Sequence, residues 1–358
     1  MGIQTDTPYL LAREGFRAPT NAQAAPGYGI RRVLVCLDRS PFAEICLPFA
    51  ICISKAFGSA LTLLHVQEAR HELSGPRSGP QSTDAVGWEI ARREANEYLE
   101  RVERQATELS GQRVDVRLEQ GHPAERISAL ARDLGADLTV LGSHGEGGLA
   151  AWSLGSTVQQ VLAVARGSVL LARSTTPAPS AACPKRILVP LDGSLRTESV
   201  LPIAARIARS NDAELVLVHV VEDPQPTALL RAEDLELARE LATRLESNAR
   251  RYLDHLRDQL AREGVSVSAL VARAMDGRQA LLELAQKERF DLVVLSAHGV
   301  TCNAARSFGN VTVHMLAHST VSLLVLQDLP RPELQEAADV VDEEVAPPLR
   351  ASFAPGAS

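Results

Sequence analysis

The sequence predicts an α/β protein made of two tandem doubly wound domains, each a five-stranded parallel sheet flanked by helices. Two observations carry this. The first is internal repetition: Val33-Leu34-Val35-Cys36-Leu37-Asp38-Arg39-Ser40 returns 154 positions later as Ile187-Leu188-Val189-Pro190-Leu191-Asp192-Gly193-Ser194. The same offset links Leu64-His65-Val66 with Val218-His219-Val220, Asp137 to Gly145 with Asp291 to Gly299, and Gly155 with Gly309. A repeat this long is domain-sized, unlike the short periods of a solenoid. The second is patterning: short apolar runs without polar alternation, as in strands covered on both faces, alternate with helical periods.

Taken in order, residues 1–30 carry Pro8, Pro19 and Pro26 with no sustained period and read as a loosely ordered arm. The first domain, 31–173, opens with the strand run Val33 to Leu37, followed by a helical pattern through Ala56 and a second run from Leu61 to Val66. His71 to Asp84 holds Pro76, Gly79 and Pro80 and reads as a flexible loop leading to a long helix from about Trp88 to Leu109. Strand Val114 to Leu118, helix Pro123 to Leu134, strand Leu138 to Leu141, helix Ser156 to Val164 and strand Val169 to Ala172 complete the unit. Residues 174–184, rich in Pro and Ser, form the linker, and 185–328 repeat the pattern. From 329 to 358 an acidic tail with Glu333, Glu336, Asp339, Asp342, Glu343 and Glu344 ends in Pro, Gly and Ser, a composition expected to be disordered.

With 358 residues and 45% hydrophobic content, each half can bury its own core. The formal charge of −7 offers no positive field for a phosphate backbone, which argues against nucleic acid as a partner. Lysine occurs only at Lys55, Lys185 and Lys287. The cysteines, Cys36, Cys46, Cys52, Cys183 and Cys302, form no CxxC and no metal-spaced cluster with histidine, so reduced thiols are expected. The longest apolar run, Ile45 to Ile53, contains Pro48 and is too short for a bilayer. No basic stretch followed by an apolar run opens the chain, and Asp6 stands where a myristoylation signal needs Ser or Thr. A cytoplasmic protein without membrane contact is expected.

The unusual residues cluster where a doubly wound sheet binds ligands, beyond the carboxyl ends of its strands. Asp38 and Ser40 close the first strand, and Gly142-Ser143-His144-Gly145 closes the fourth. After nine intervening residues Gly155-Ser156-Thr157 opens a helix, whose free amide hydrogens and positive dipole end suit a phosphate. Asp38 suits hydroxyl or amino donors, or caps the following helix. His144 and His298 suit a phosphate donor, an acid/base or a packing role in the loop, and His65 and His219 read as satisfied core-edge histidines.

Both halves resemble the universal stress protein family. Its nucleotide-binding members share a Gly-x2-Gly-x9-Gly-Ser/Thr loop, matched without a gap by Gly142, Gly145, Gly155 and Ser156. The family's Pro-Leu-Asp-Gly-Ser opening stands intact at Pro190 to Ser194 but reads Cys36-Leu37-Asp38-Arg39-Ser40 in the first half. The Gly121-His122-Pro123 turn is also similar to the family's. The resemblance implies a Rossmann-like fold binding ATP or another adenine nucleotide, with Mg²⁺ carried by the triphosphate. Asp38 and Ser40 would then lie by base or ribose, Val66 would offer backbone bonds to adenine, and Leu141, Gly142, His144, Gly145, Gly155, Ser156 and Thr157 would surround the phosphates.

The second copy departs from this pattern. Its counterparts are Pro190, Asp192, Val220, Ser296, Gly299, Gly309 and Asn310, where Ser296 replaces the first glycine and Asn310 the serine. Met275-Asp276-Gly277 stands in place of Gly121-His122-Pro123. A β-carbon at Ser296 crowds a phosphate or tilts the loop, while Asn310 can cap the helix.

The resulting expectation is an ATP-binding stress-response protein with a regulatory or protective role. No general base, nucleophile or metal cluster stands out, so at most slow hydrolysis is expected. Alternatives are a weak ATPase or phosphotransferase using His144 and Ser156, and a nucleotide-free interaction module favoured for the second half. Apolar edge strands Val169 to Ala172 and Val321 to Leu326 call for cover. Family members commonly dimerise through this strand, which implies pairing of the two domains within the chain and leaves room for a homodimer.

Overall fold

The computed structural model describes residues 29–40, 43–68, 83–143, 154–165, 167–173, 183–223, 232–300 and 306–327. The first copy runs β1 (Arg32–Leu37), a 3-10 turn (Ala43–Ile45), α1 (Cys46–Phe57), β2 (Ala60–Gln67), α2 (Thr83–Ser110), β3 (Val114–Gln120), α3 (Pro123–Asp133), β4 (Leu138–Gly142), α4 (Ser156–Val164) and β5 (Ser168–Ala172). The second runs β6 (Arg186–Pro190), α5 (Leu195–Glu198), α6 (Leu201–Asn211), β7 (Glu214–Glu222), α7 (Ala232–Arg262), β8 (Ser266–Ala274), α8 (Gly277–Lys287), β9 (Leu292–Ser296), α9 (Asn310–His318) and β10 (Ser322–Leu326).

All strands join one sheet in the order β3-β2-β1-β4-β5-β10-β9-β6-β7-β8. Pairing within each copy is parallel, and the winding reverses between β1 and β4 and again between β6 and β9. The copies meet where β5 and β10 pair antiparallel, with Leu171 opposite Leu323 and Val169 opposite Val325. Serines close this seam at both ends: Arg173 N–H donates to Ser322 Oγ at 3.0 Å and Gln327 N–H to Ser168 Oγ at 3.1 Å. Each apolar edge strand thus covers the other.

The unbroken apolar runs are explained by cover on both faces. Val33, Val35 and Leu37 enter one core with Leu99 and Val102 of α2, while Leu34 and Cys36 enter the other with Val158 and Val161 of α4. Asp137 secures the opposite sheet edge from the site, taking bonds from Arg31 N–H at 2.8 Å and Arg32 N–H at 3.0 Å. Asp291 repeats the brace with Lys185 N–H at 2.8 Å and Arg186 N–H at 2.9 Å. A repeated aspartate can therefore be architectural.

Three expectations change. Cys52 and Cys183 form a disulfide, with Cα atoms 5.8 Å apart, whereas Cys36 and Cys46 are free and buried. The bonded pair is 131 residues apart in sequence, so only the docking of the second copy's entry against α1 brings it together. The long helix α2 starts at Thr83, inside the segment read as loop to Asp84. Asn310 is the first residue of α9 rather than its cap; Gly309 holds the cap position and no side chain bonds there. The arm to residue 28, most of the linker (174–182), the tail from 328, His144, Gly145 and Cys302 lie outside the described residues. Among the described residues, no helix is long and apolar enough to cross a membrane and no group of three metal-ligating side chains assembles.

Candidate functional site

The site lies at the carboxyl ends of β1 and β4, which are neighbours in the sheet but send the chain to opposite faces. This divergence opens a crevice at the switch point. In the first copy Asp38 folds back so that its Oδ1 accepts from Ser40 N–H at 3.0 Å, and buried Ser40 Oγ accepts from Ala43 N–H at 3.1 Å. The turn demands a left-handed residue between them. Arg39 supplies it with φ 69°, against φ 82° for Gly193 in the second copy.

Across the crevice, Ser143 N–H donates to Ala172 O at 2.9 Å and Gly155 N–H to Ser143 O at 3.1 Å. These bonds set the start of α4 beside the end of β4, bringing Leu141, Gly142, Gly155, Ser156 and Thr157 together. Gly155 occupies the N-cap with φ −59° and ψ 150°, and no side chain caps the helix. A β-carbon there meets nothing nearer than Ser143 O at 3.8 Å. Among the described residues neither backbone conformation nor packing requires glycine at this position, and a helix start without a side-chain cap suits an anionic acceptor. Val66 is the penultimate residue of the adjacent strand β2.

The second copy has the same skeleton and a different interior. Gly309 N–H donates to Ala297 O at 2.7 Å, matching the Gly155 bond. Asp192 is engaged by its own chain: Oδ1 accepts from Ser194 N–H at 2.9 Å and Thr197 Oγ1 at 2.8 Å, and Oδ2 accepts from Val300 N–H at 2.7 Å. Burial raises its pKa, but the bonds from Ser194, Val300 and Thr197 outweigh that and hold the carboxyl below its ordinary value. Ser194, not Asp192, caps α5. Ser296 Oγ donates to His298 O, Thr312 Oγ1 to Ser296 O at 2.9 Å, and the buried His298 ring from Nε2 to Arg306 O at 2.8 Å. His298 is a packing residue of the loop. Pro190 and Val220 lie on β6 and β7 as their counterparts' positions require.

A second duplicated cluster escaped the reading of the sequence. Glu44, His65, Tyr98 and Arg101 recur as Glu198, His219, Tyr252 and His255, again 154 positions apart. His65 Nδ1–H donates to Leu37 O at 2.8 Å, and each histidine ring meets its tyrosine edge-on with centroids 6.4 Å apart. In the first copy Arg101 bonds Glu44 at 3.1 Å and stands 5.1 Å over the Tyr98 ring, whose buried hydroxyl has no partner. In the second, Tyr252 Oη donates to Glu198 at 2.9 Å. Burial, more than the nearby Asp192, lifts Glu198 above the ordinary carboxylate range against the Tyr252 bond and the charge of His255. The signal was the common offset, diluted because these residues lie in helices of low mutual similarity.

Two doubly wound units fused edge to edge, each with a glycine turn between its fourth strand and the following helix, define the class of protein. The universal stress protein family model matches residues 29–173 and again 184–327, and the chain belongs to that family. It is 26% identical to a universal stress protein of Mycolicibacterium smegmatis over 313 residues, covering 85% of this chain and 99% of that protein. It is 33% identical to universal stress protein A homolog 1 of Coxiella burnetii over 117 residues, covering 32% of this chain and 77% of that one. The crystal structure of a universal stress protein from Archaeoglobus fulgidus shares the fold, with a TM-score of 0.56 at 17% identity over 83% of this chain and 98% of that one.

Proposed function

We propose that the first copy binds an adenine nucleotide, ATP foremost, and that this binding serves a regulatory or protective role in the stress response of the cytoplasm. The observation that carries the reading is Gly155: a glycine that neither its φ nor its described neighbours require, at a helix start without a side-chain cap, next in the sheet's switch point to the strand that ends before Asp38. The assigned contacts are Asp38, Ser40 and Val66 for nucleoside, and Leu141, Gly142, Gly155, Ser156 and Thr157 for phosphates, joined by His144 and Gly145. Mg²⁺ accompanies the triphosphate, coordinated by phosphate and water.

For the second copy the reading favoured is an interaction unit without nucleotide, because Ser296 stands where the first copy has Gly142 and Asn310 where it has Ser156, and the Ser296 hydroxyl is turned to His298 O. Pairing of two whole chains is compatible with this assignment and independent of it. The test is to purify the protein without added nucleotide, denature it, and count released nucleotide by chromatography and mass spectrometry. One adenine nucleotide per chain, lost in Asp38→Ala and retained in Asp192→Ala, is the expected result. Two per chain refute the reading of the second copy, and none, with no ATP binding in titration, refutes that of the first.

A further inference from the structure

The two copies press α1 against α6, and the same helical position makes the crossing contact in each direction. Arg206 of α6 donates from Nε to Ala56 O at 2.6 Å and stacks over Phe57 with its guanidinium carbon 4.7 Å from the ring centroid. Its counterpart 154 positions earlier is Cys52 of α1, which crosses by a covalent bond to Cys183 at the entry to β6. The Cα separation of 5.8 Å lies inside the range that a disulfide spans without backbone movement.

The two sulfurs differ in access. Cys52 is buried to 2% exposure, whereas Cys183 is half-buried beside Pro184. The other described cysteines cannot share the chemistry. Cys36 and Cys46 are wholly buried, and burial pushes both thiols far above their ordinary pKa, so neither offers a thiolate.

We propose that Cys52 and Cys183 form a thiol–disulfide couple that acts as an oxidisable clamp on the seam between the two copies, exchanging with low-molecular-weight thiols and disulfides of the glutathione type. In the reducing direction a small thiolate attacks the Cys183 sulfur, the bond between the Cys52 and Cys183 sulfurs breaks, and Cys52 leaves as a thiolate that takes a proton. A second small thiolate then attacks the mixed disulfide and releases the Cys183 thiol. The protein disulfide gains two electrons and two protons, and two small thiols become one small disulfide. Oxidation is the reverse, with the small disulfide as oxidant. The clamp fixes α1, which begins just past Asp38 and Ser40, to the first strand of the second copy.

The test equilibrates the full chain with mixtures of reduced and oxidised glutathione, quenches with acid, alkylates, and follows the Cys52–Cys183 linked peptide by mass spectrometry. Amide exchange of α1 and β6 is measured in the fully reduced and fully oxidised protein, with Cys183→Ser as control because Cys183 is less buried than Cys52. Expected is one two-electron transition in which the linked peptide goes from absent to dominant, while exchange in α1 and β6 slows about tenfold on oxidation in the native chain and not in Cys183→Ser. Absence of the linked peptide at every glutathione ratio overturns the couple. A linked peptide with equal exchange in both states overturns the clamp.

Discussion

Asp192 reaches across the carboxyl edge of its sheet and accepts a hydrogen bond from the backbone of Val300 at 2.7 Å. The loop after β9 is thereby held against the end of β6. A β-carbon at Gly299 would lie 2.5 Å from Asp192 Oδ2, so glycine is required there by the carboxylate itself.

This contact separates two glycines that look alike in the sequence. Gly299→Ala is expected to lower stability by about 1–2 kcal/mol, since the loop or Asp192 must move and the charge-assisted hydrogen bond from Val300 is strained. Gly155→Ala, whose β-carbon meets among the described residues only an ordinary contact with Ser143 O at 3.8 Å, is expected to stay within about 0.5 kcal/mol of the native protein while weakening ATP binding. Denaturant titration together with calorimetric ATP titration checks the pair; equal destabilisation by both changes contradicts the distinction.

Tyrosine hydroxyls give a parallel contrast. Tyr252→Phe removes the donor to half-buried Glu198 and is expected to cost about 1–2 kcal/mol. Tyr98→Phe deletes a buried hydroxyl without a partner and is expected to be neutral or stabilising by up to about 1 kcal/mol. Urea midpoints of the two variants decide it, and a larger loss for Tyr98→Phe than for Tyr252→Phe reverses the assignment.

Stability is expected to fall on acidification in two stages. His219 lies below its ordinary 6.5 because burial disfavours its charged form, against the attraction of Asp192. A base with a depressed folded pKa contributes fully above its unfolded value and loses that contribution as pH falls through the folded one, so the first decline starts below about 6.5. Asp192, held below 3.8, gives the second, present above the unfolded value and lost as pH falls through the folded one. Glu198, raised above 4.5, has the opposite sign: its contribution is full below that value and is lost as pH rises through the folded pKa. Melting temperatures from about pH 7 to 5 should decline, and His219→Gln should flatten that slope; an unchanged slope removes His219 from the account.

Arg39 carries φ 69°, a left-handed conformation costly for a side chain with a β-carbon. Its exposed partner Glu94 at 3.5 Å offers little in return. Arg39→Gly, which restores the residue found at Gly193, is expected to stabilise the first copy by about 0.5–1 kcal/mol, read from the thermal midpoint; destabilisation would show that Arg39 is held by more than its turn.

Several features depend only on local pattern. The bounds Ser156 to Val164 of α4 follow from a glycine stop before an apolar period, and β1 follows from five consecutive apolar residues, because short-range periodicity dictates which faces are buried. The duplication likewise announced the strand topology twice over. The clusters of Glu44 with Arg101 and of Glu198 with Tyr252 were harder to see. Their members are far apart in the chain, and a charged residue in a helix looks solvated until its neighbours are known.

By itself the sequence determined two copies of one doubly wound fold, the places of Asp38 and Gly142 at strand ends and of Gly155 at a helix start, and the family to which they point, because a repeat and a periodicity are properties of neighbours along the chain. Tertiary structure alone decided that Asp192 is satisfied by Val300, that Cys52 meets Cys183, and in which register β5 and β10 make the pairing that the resemblance implied. Each of these is a contact across more than a hundred residues. Distances of that kind are set by how whole helices and sheets pack, and no local spacing encodes them.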